Sequence, residues 1–174
     1  MINHRRTNSA LHNPLLLAAI IACLAAFLLA FAPRSAAAAT RATAIDAAEV
    51  SQVRMINRFR AARGLRALRV DARLTRAATW MAIDMGRRNY FSHTDSARRD
   101  PFRRIAAFGY PTAGTWRGEN IAAGNASVFA TYKQWLNSPP HRANWLKPNY
   151  RTIGIARVYA PGSQYRWYWV TDFG

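Results

Sequence analysis

Two histidines and one glutamate carry the most pointed chemistry in this chain. His93 lies in Tyr90-Phe91-Ser92-His93-Thr94-Asp95 and His141 in Ser138-Pro139-Pro140-His141-Arg142-Ala143-Asn144-Trp145. Between them stands Gly118-Glu119-Asn120-Ile121, and the only other glutamate is Glu49. Two imidazoles and a carboxylate are the smallest set that can hold a divalent metal and leave it an open position. Zinc suits such a set, with calcium or no metal as the alternatives. His93 and His141 are the first candidate ligands and Glu119 a weaker one. A Glu119 left free of the metal could act as general base to a metal-bound water, which makes it the candidate catalytic residue. The plainer reading is that Glu119 bonds loop amides while the histidines tie loops together. Ser92 adjoins His93 and could be cast as a nucleophile, but the chain has no Gly-x-Ser-x-Gly elbow. Asn120 and Asn144 read as loop-backbone anchors, Arg142 as an anchor for a carboxylate or carbonyl, and Asp95 as a loop cap.

These side chains must be positioned by elements far apart in sequence. From Ala44, Ile45, Val53, Ile56 and Phe59 recur at near-helical spacing, and Gly64 is expected to close that helix. Asp71 reads as an N-cap for a second helix with the apolar stripe Leu74, Ala78, Met81 and Met85. A polar loop is expected over 86–96, carrying His93. Asp100-Pro101 opens a short helix that Gly109 closes. Residues 111–125, rich in Gly, Thr and Asn, hold the Glu119 motif. Ser127 can cap a helix to Leu136 with Phe129, Tyr132 and Trp135 inward, stopped by Pro139-Pro140. A short helix or turn then carries His141. Residues 152–159 and 165–173 alternate in steps of two, and Pro161-Gly162 between them suits a type II turn. On the last strand Trp167, Trp169 and Phe173 share one face, and Tyr168 and Val170 the other. A sheet apolar on both faces needs cover on both sides. The expected fold is therefore α+β: a three-layer alpha-beta-alpha sandwich with a C-terminal antiparallel hairpin.

The front of the chain has another character. A basic head with Arg5 and Arg6, an apolar run over 15–32 and the small residues of 36–39 are the three parts of a secretory signal. Residues 1–39 are read as that signal, cleaved or kept as a membrane anchor. Residues 40–47 read as a linker and 48–174 as the domain. The expected location is extracellular or periplasmic. Cys23 is the only cysteine, so the domain is expected to hold together by packing without a disulfide. Residues 41–174 contain 22 Lys and Arg against 8 Asp and Glu, a balance of +14. The arginines are spread through the helices rather than gathered in a run. That argues against a specific nucleic-acid partner and for a solvated basic surface. A cell-envelope component, a lipid or another anionic polymer is the partner class such a surface suits, and a monomer is expected.

Six motifs in this order resemble a known family. Asn57-Arg58-Phe59-Arg60-Ala61-Ala62-Arg63-Gly64-Leu65 comes first, then Phe91-Ser92-His93-Thr94-Asp95, Gly118-Glu119-Asn120-Ile121-Ala122 and residues 135–144. Tyr150-Arg151-Thr152-Ile153-Gly154-Ile155 and Tyr168-Trp169-Val170-Thr171-Asp172-Phe173-Gly174 follow. Together they resemble the CAP superfamily of cysteine-rich secretory, antigen-five and pathogenesis-related-one proteins. The closer resemblance is to its cysteine-free bacterial branch, the SCP-like extracellular proteins. It implies an alpha-beta-alpha sandwich with a cleft lined by His93, Glu119 and His141. Many members carry a second cleft glutamate just before the second histidine; here Ser138 stands near that place. The missing acid tilts the reading from a metal-dependent hydrolase towards a binding module. A structural envelope protein with a vestigial cleft is the third reading, since the resemblance speaks to fold more than to reaction.

Overall fold

Helix boundaries along the chain follow capping chemistry. A computed structural model describes residues 45–174, so the signal segment read over 1–39 lies outside the described residues. Asp46 opens α1 (Ala47–Ala61) through a capping box: its carboxylate accepts the Glu49 N–H, and the Glu49 carboxylate accepts the Asp46 N–H. A two-residue β1 (Arg69–Val70) leads to Asp71, which accepts the Arg73 and Leu74 N–H groups at the start of α2 (Ala72–Arg88). Asp100 caps α3 (Pro101–Ala107), with Pro101 in its first turn. β2 (Gly118–Ala123) follows, then α4 (Val128–Asn137) and α5 (Pro139–Leu146). β3 (Thr152–Tyr159) and β4 (Trp167–Phe173) end the fold.

Several boundaries differ from the sequence expectation. α2 runs through Gly86 to Arg88 and ends at Asn89, whose φ of 55° is left-handed. Gly86 marks a close contact rather than a stop, because a Cβ there would sit 2.7 Å from the Ala160 Cβ. The segment around Glu119, left without an assigned element by sequence, is a strand; pairing with β4 overrides its Gly- and Asn-rich composition. The β3–β4 connection is longer than a type II turn, and its positive φ falls at Arg166 (63°), not at Gly162. Asn89 ties that connection to the end of α2 by accepting the Gln164 N–H at 2.7 Å. Phe129 is 61% exposed rather than inward.

The four strands are ordered β1-β3-β4-β2, with β1 parallel to β3 and the other pairs antiparallel. Ile153, Ile155, Trp169, Phe173 and Ala122 point to one face, where they pack with α1, α4 and α5 around Trp135 and Trp145. Ala156, Tyr168, Val170 and Ile121 point to the other, against the α2 stripe of Ala78, Met81 and Met85. Leu74, Ala77, Ile105 and Tyr110 join α3 to α2. The expected alpha-beta-alpha sandwich is thus present, and both faces of the sheet are covered. Among the described residues no helix is long and apolar enough to cross a membrane.

Two close approaches tighten the layers. Arg60 is fully buried and donates to the carbonyls of Arg66 (2.8 Å), Trp145 (2.6 Å) and Lys147 (3.1 Å), tying α1 to the end of α5. Gly154 on β3 lies under the first turn of α2, where a Cβ would fall 2.1 Å from the Leu74 carbonyl carbon and 2.3 Å from the Thr75 nitrogen. Those atoms are helix backbone and cannot swing aside. Gly154→Ala is expected to destabilise the fold by about 3 kcal/mol through overpacking, as urea denaturation would show.

Candidate functional site

β2 is an edge strand, and the candidate residues gather around its first half. Alternation sends Glu119 to the α2–α3 face of the sheet and Asn120 to the α4–α5 face. On the first face, His93 Nδ1 meets Glu119 Oε1 at 2.7 Å. The Arg104 guanidinium, carried by α3, donates through Nη2 to Glu119 Oε2 and through Nη1 to the His93 carbonyl at 3.1 Å. Arg104 is fully buried, and the Glu119 side chain is 1% exposed against 51% for His93. Of this trio only the imidazole therefore meets solvent.

On the second face, α5 supplies His141. Ser138 precedes Pro139 and Pro140 and makes no side-chain cap bond to the helix. Its hydroxyl instead bonds His141 Nδ1 at 2.7 Å. The residue standing near the family's second glutamate thus orients the second histidine. Asn120 Nδ2 donates to the His141 carbonyl at 3.0 Å, and Asn144 Nδ2 donates to the Glu119 carbonyl at 3.1 Å and to Asn120 Oδ1 at 2.7 Å. The two asparagines lock α5 onto β2. Gly118 is required beneath this lock, since a Cβ there would lie 2.3 Å from the buried Tyr150 hydroxyl. Arg142 donates to the Leu136 carbonyl at 2.9 Å.

Both imidazoles therefore have Nδ1 engaged by a fixed partner, which leaves Nε2 as the available ring nitrogen on each. Burial, and then the charge of nearby His93, push the His141 pKa below the ordinary 6.5. His141 is therefore favoured as the neutral imidazole at neutral pH. Glu119 has both oxygens occupied by Arg104 and His93, so it orients an imidazole rather than standing free. Among the described residues no three His, Cys, Asp or Glu side chains group to hold a metal ion. Ser92 takes a loop role: its hydroxyl accepts the Thr94 N–H at 3.0 Å. Asp95 is buried and accepts the Ala97 and Arg99 N–H groups (2.9 and 2.8 Å), organising the turn after His93.

Two residues of this network were not singled out from sequence. Asp172 sits directly across the β2–β4 pair from Glu119 and is fully buried. Its signal was the alternation of β4, which sends residue 172 to the same apolar face as Tyr168 and Val170. Arg104 had no local signal, as nothing in a short helix says which arginine turns inward.

The arrangement has two measurable consequences. Arg104→Met leaves the Glu119 carboxylate buried without its cation and is expected to cost about 3 kcal/mol or more in urea denaturation. Folding also favours neutral His141, since its folded pKa is the lower one. That stabilisation is complete above the unfolded value of about 6.5 and is lost as pH falls from there through the folded value. The urea midpoint of His141→Gln is expected to fall less than that of the wild-type chain between about pH 7 and pH 5.

Comparison with known proteins agrees with this architecture. Residues 53–173 match the model of the family described as CAP, the cysteine-rich secretory protein family. An uncharacterised protein, YkwD of Bacillus subtilis (strain 168), is 39% identical over 101 residues, 57% of this chain. The chain spans only 38% of that relative's length. An outer surface protein from Borrelia burgdorferi superposes with a TM-score of 0.66 at 25% identity, covering 75% of this chain and 95% of that one. An extracellular protein containing a SCP domain from Bacillus anthracis str. Ames gives a TM-score of 0.62 at 26% identity, over 72% of this chain and 39% of that one. With the family pattern matched across nearly all of the described fold, the chain belongs to the CAP, or cysteine-rich secretory protein, family.

Proposed function

We propose that this protein is an extracellular binding module whose cleft, between the His93 loop and α5, holds one divalent cation and presents it to a cell-envelope ligand. The observation that carries the reading is the pairing of each Nδ1 with a fixed partner, Glu119 for His93 and Ser138 for His141, both at 2.7 Å. Metal-binding histidines are oriented in this way, with the outer nitrogen anchored and the inner one free. His93 and His141 would hold the ion through Nε2, with solvent or ligand in the remaining positions. Zinc fits two imidazoles better than calcium, which takes oxygen ligands. Such an ion supplies a Lewis-acidic anchor for an anionic or carbonyl group.

Binding is favoured over hydrolysis because the one carboxylate in reach is buried and held by Arg104. A general base must be free to approach the proton it takes. The location rests on two structural relatives, one an outer surface protein and the other an extracellular one. The excess of 22 basic over 8 acidic residues in 41–174 favours an anionic envelope polymer or lipid as the ligand class.

Isothermal titration of the purified protein with zinc at about pH 7 is expected to show one site. His93→Ala and His141→Ala should each abolish it, and Glu119→Gln should weaken it on the order of tenfold. Uptake should fade below about pH 6 as the imidazoles protonate. A wild-type protein that takes up no zinc, or a double histidine variant that binds as well as the parent, would overturn the proposal.

A further inference from the structure

Asp172 is the one acidic side chain of the described region that the site's hydrogen bonds leave unexplained. It is fully buried, and neither carboxyl oxygen meets an N–H or O–H donor among the described residues. A buried carboxylate without donors is among the costlier groups a fold can contain. Its surroundings offer little relief. In register, Glu119 of β2 lies directly opposite on one side and Gly154 of β3, with no side chain, on the other. Above Gly154 lie the backbone of Leu74 and Thr75. The charged groups that bear on Asp172 are Glu119 from β2 and Arg104 from α3. Arg104 spends Nη2 on Glu119 and Nη1 on the His93 carbonyl, and its buried Nε–H meets no acceptor among the described residues, the Asp172 carboxyl included.

One guanidinium thus faces two buried carboxyl groups. Two adjacent carboxylates sharing a low-dielectric site cannot both ionise at neutral pH. Glu119 is the member with a cationic partner on one oxygen and an imidazole on the other. We propose that Asp172 is kept as a neutral carboxylic acid that donates a hydrogen bond to Glu119, and that this buried acid is a positioning residue for His93. The proton satisfies both groups: Asp172 gains an acceptor, and Glu119 keeps the single negative charge that Arg104 balances. Held from three sides, Glu119 accepts the His93 Nδ1–H and leaves Nε2 as the outward lone pair. Burial first, and then the Glu119 charge, push the Asp172 carboxyl well above the ordinary 3.8, against an opposing pull from Arg104.

The site's second carboxyl group therefore comes from the last strand, and its part is to hold a proton. This role deepens the binding reading, since it matters to a ligand only where His93 Nε2 does the binding. Its test can be separated from that reading. In the full-length protein at about pH 7, difference infrared spectra of wild type against Asp172→Asn should show one protonated-carboxyl band, lost in the variant. Nitrogen-15 NMR should show His93 as the Nδ1–H tautomer in the wild type. Asn at 172 can donate through its amide, so Asp172→Asn should keep that tautomer and hold zinc within about twofold of wild type. Asp172→Leu removes the donor and should mix the His93 tautomers and weaken zinc on the order of tenfold. Absence of the protonated band, or loss of the tautomer in Asp172→Asn, overturns the proposal. So does a folded Asp172→Leu protein with His93 unchanged. Should the Leu variant not fold, the band and the Asn variant still decide. Should the wild type take no zinc, the binding reading fails alone, while the band and tautomer still judge the acid pair.

Discussion

A β-sheet has two edges, and each presents backbone groups that must be paired or hidden. In this fold side chains take up edge carbonyls of β2 and an edge N–H of β3, and the candidate site is built by the residues that do so on the β2 side. On the β2 side, the Glu119 carbonyl receives Asn144 and the Ile121 carbonyl receives the Trp135 indole at 3.1 Å. The residues that block the edge thereby clamp α4 and α5 to it. On the far side β1 covers only the start of β3, and the exposed Arg157 N–H is taken by Glu49 at 2.6 Å. Glu49 also completes the capping box of α1, so one carboxylate starts a helix and finishes a sheet. Burial raises its pKa, and the two N–H groups it accepts hold it back.

Closure of the β2 edge explains why the two histidines arrive from opposite layers. Successive side chains of a strand point to opposite faces. Glu119 therefore reaches the His93 loop and α3, and Asn120 reaches α5. The Gly118-Glu119-Asn120 motif works as a hinge pin with one hand on each layer. One histidine comes from each side, its backbone carbonyl held by Arg104 in one case and by Asn120 in the other.

The charge pattern follows the same division. The acids are few, and most are spent on structure. Asp46, Asp71 and Asp100 cap helices, Asp84 gathers Tyr90, Ser96 and Arg88, and Asp95 folds the loop after His93. Two arginines, Arg60 and Arg104, are withdrawn into the core as donors for carbonyls and a carboxylate. They were indistinguishable from surface charge in the sequence. Arginine suits this work because its planar fork serves several acceptors at once without losing its charge. Some of the remaining arginines pair with acids, as Arg73 does with Asp71 and Arg99 with Asp95, but the basic side chains outnumber their partners and leave an excess of positive charge.

The local signals were legible before folding. Asp71, Asp100 and Ser127 announced their helices because a cap needs only one oxygen within three residues, and the Leu74–Met85 stripe followed from a 3.6-residue period. The alternation of 152–159 and 165–173 foretold a two-faced sheet, and the order of motifs foretold the family. What lay beyond reach was decided across long sequence separations. β2 became a strand because β4 offered it a ladder, Gly86 stayed helical because Ala160 pressed against it, and Phe129 stayed outside because the α4 face turned inward at Trp135 instead. Glu119 could be named as a candidate site residue from its motif. Whether it would be a free base, a ligand or an orienting group depended on Arg104, fifteen positions earlier, and on Asp172, fifty-three positions later. Sequence alone set which groups could ionise or ligate. Only the packing of α3, β2 and β4 set how many charges share one dry space, and that count decides what each of them can do.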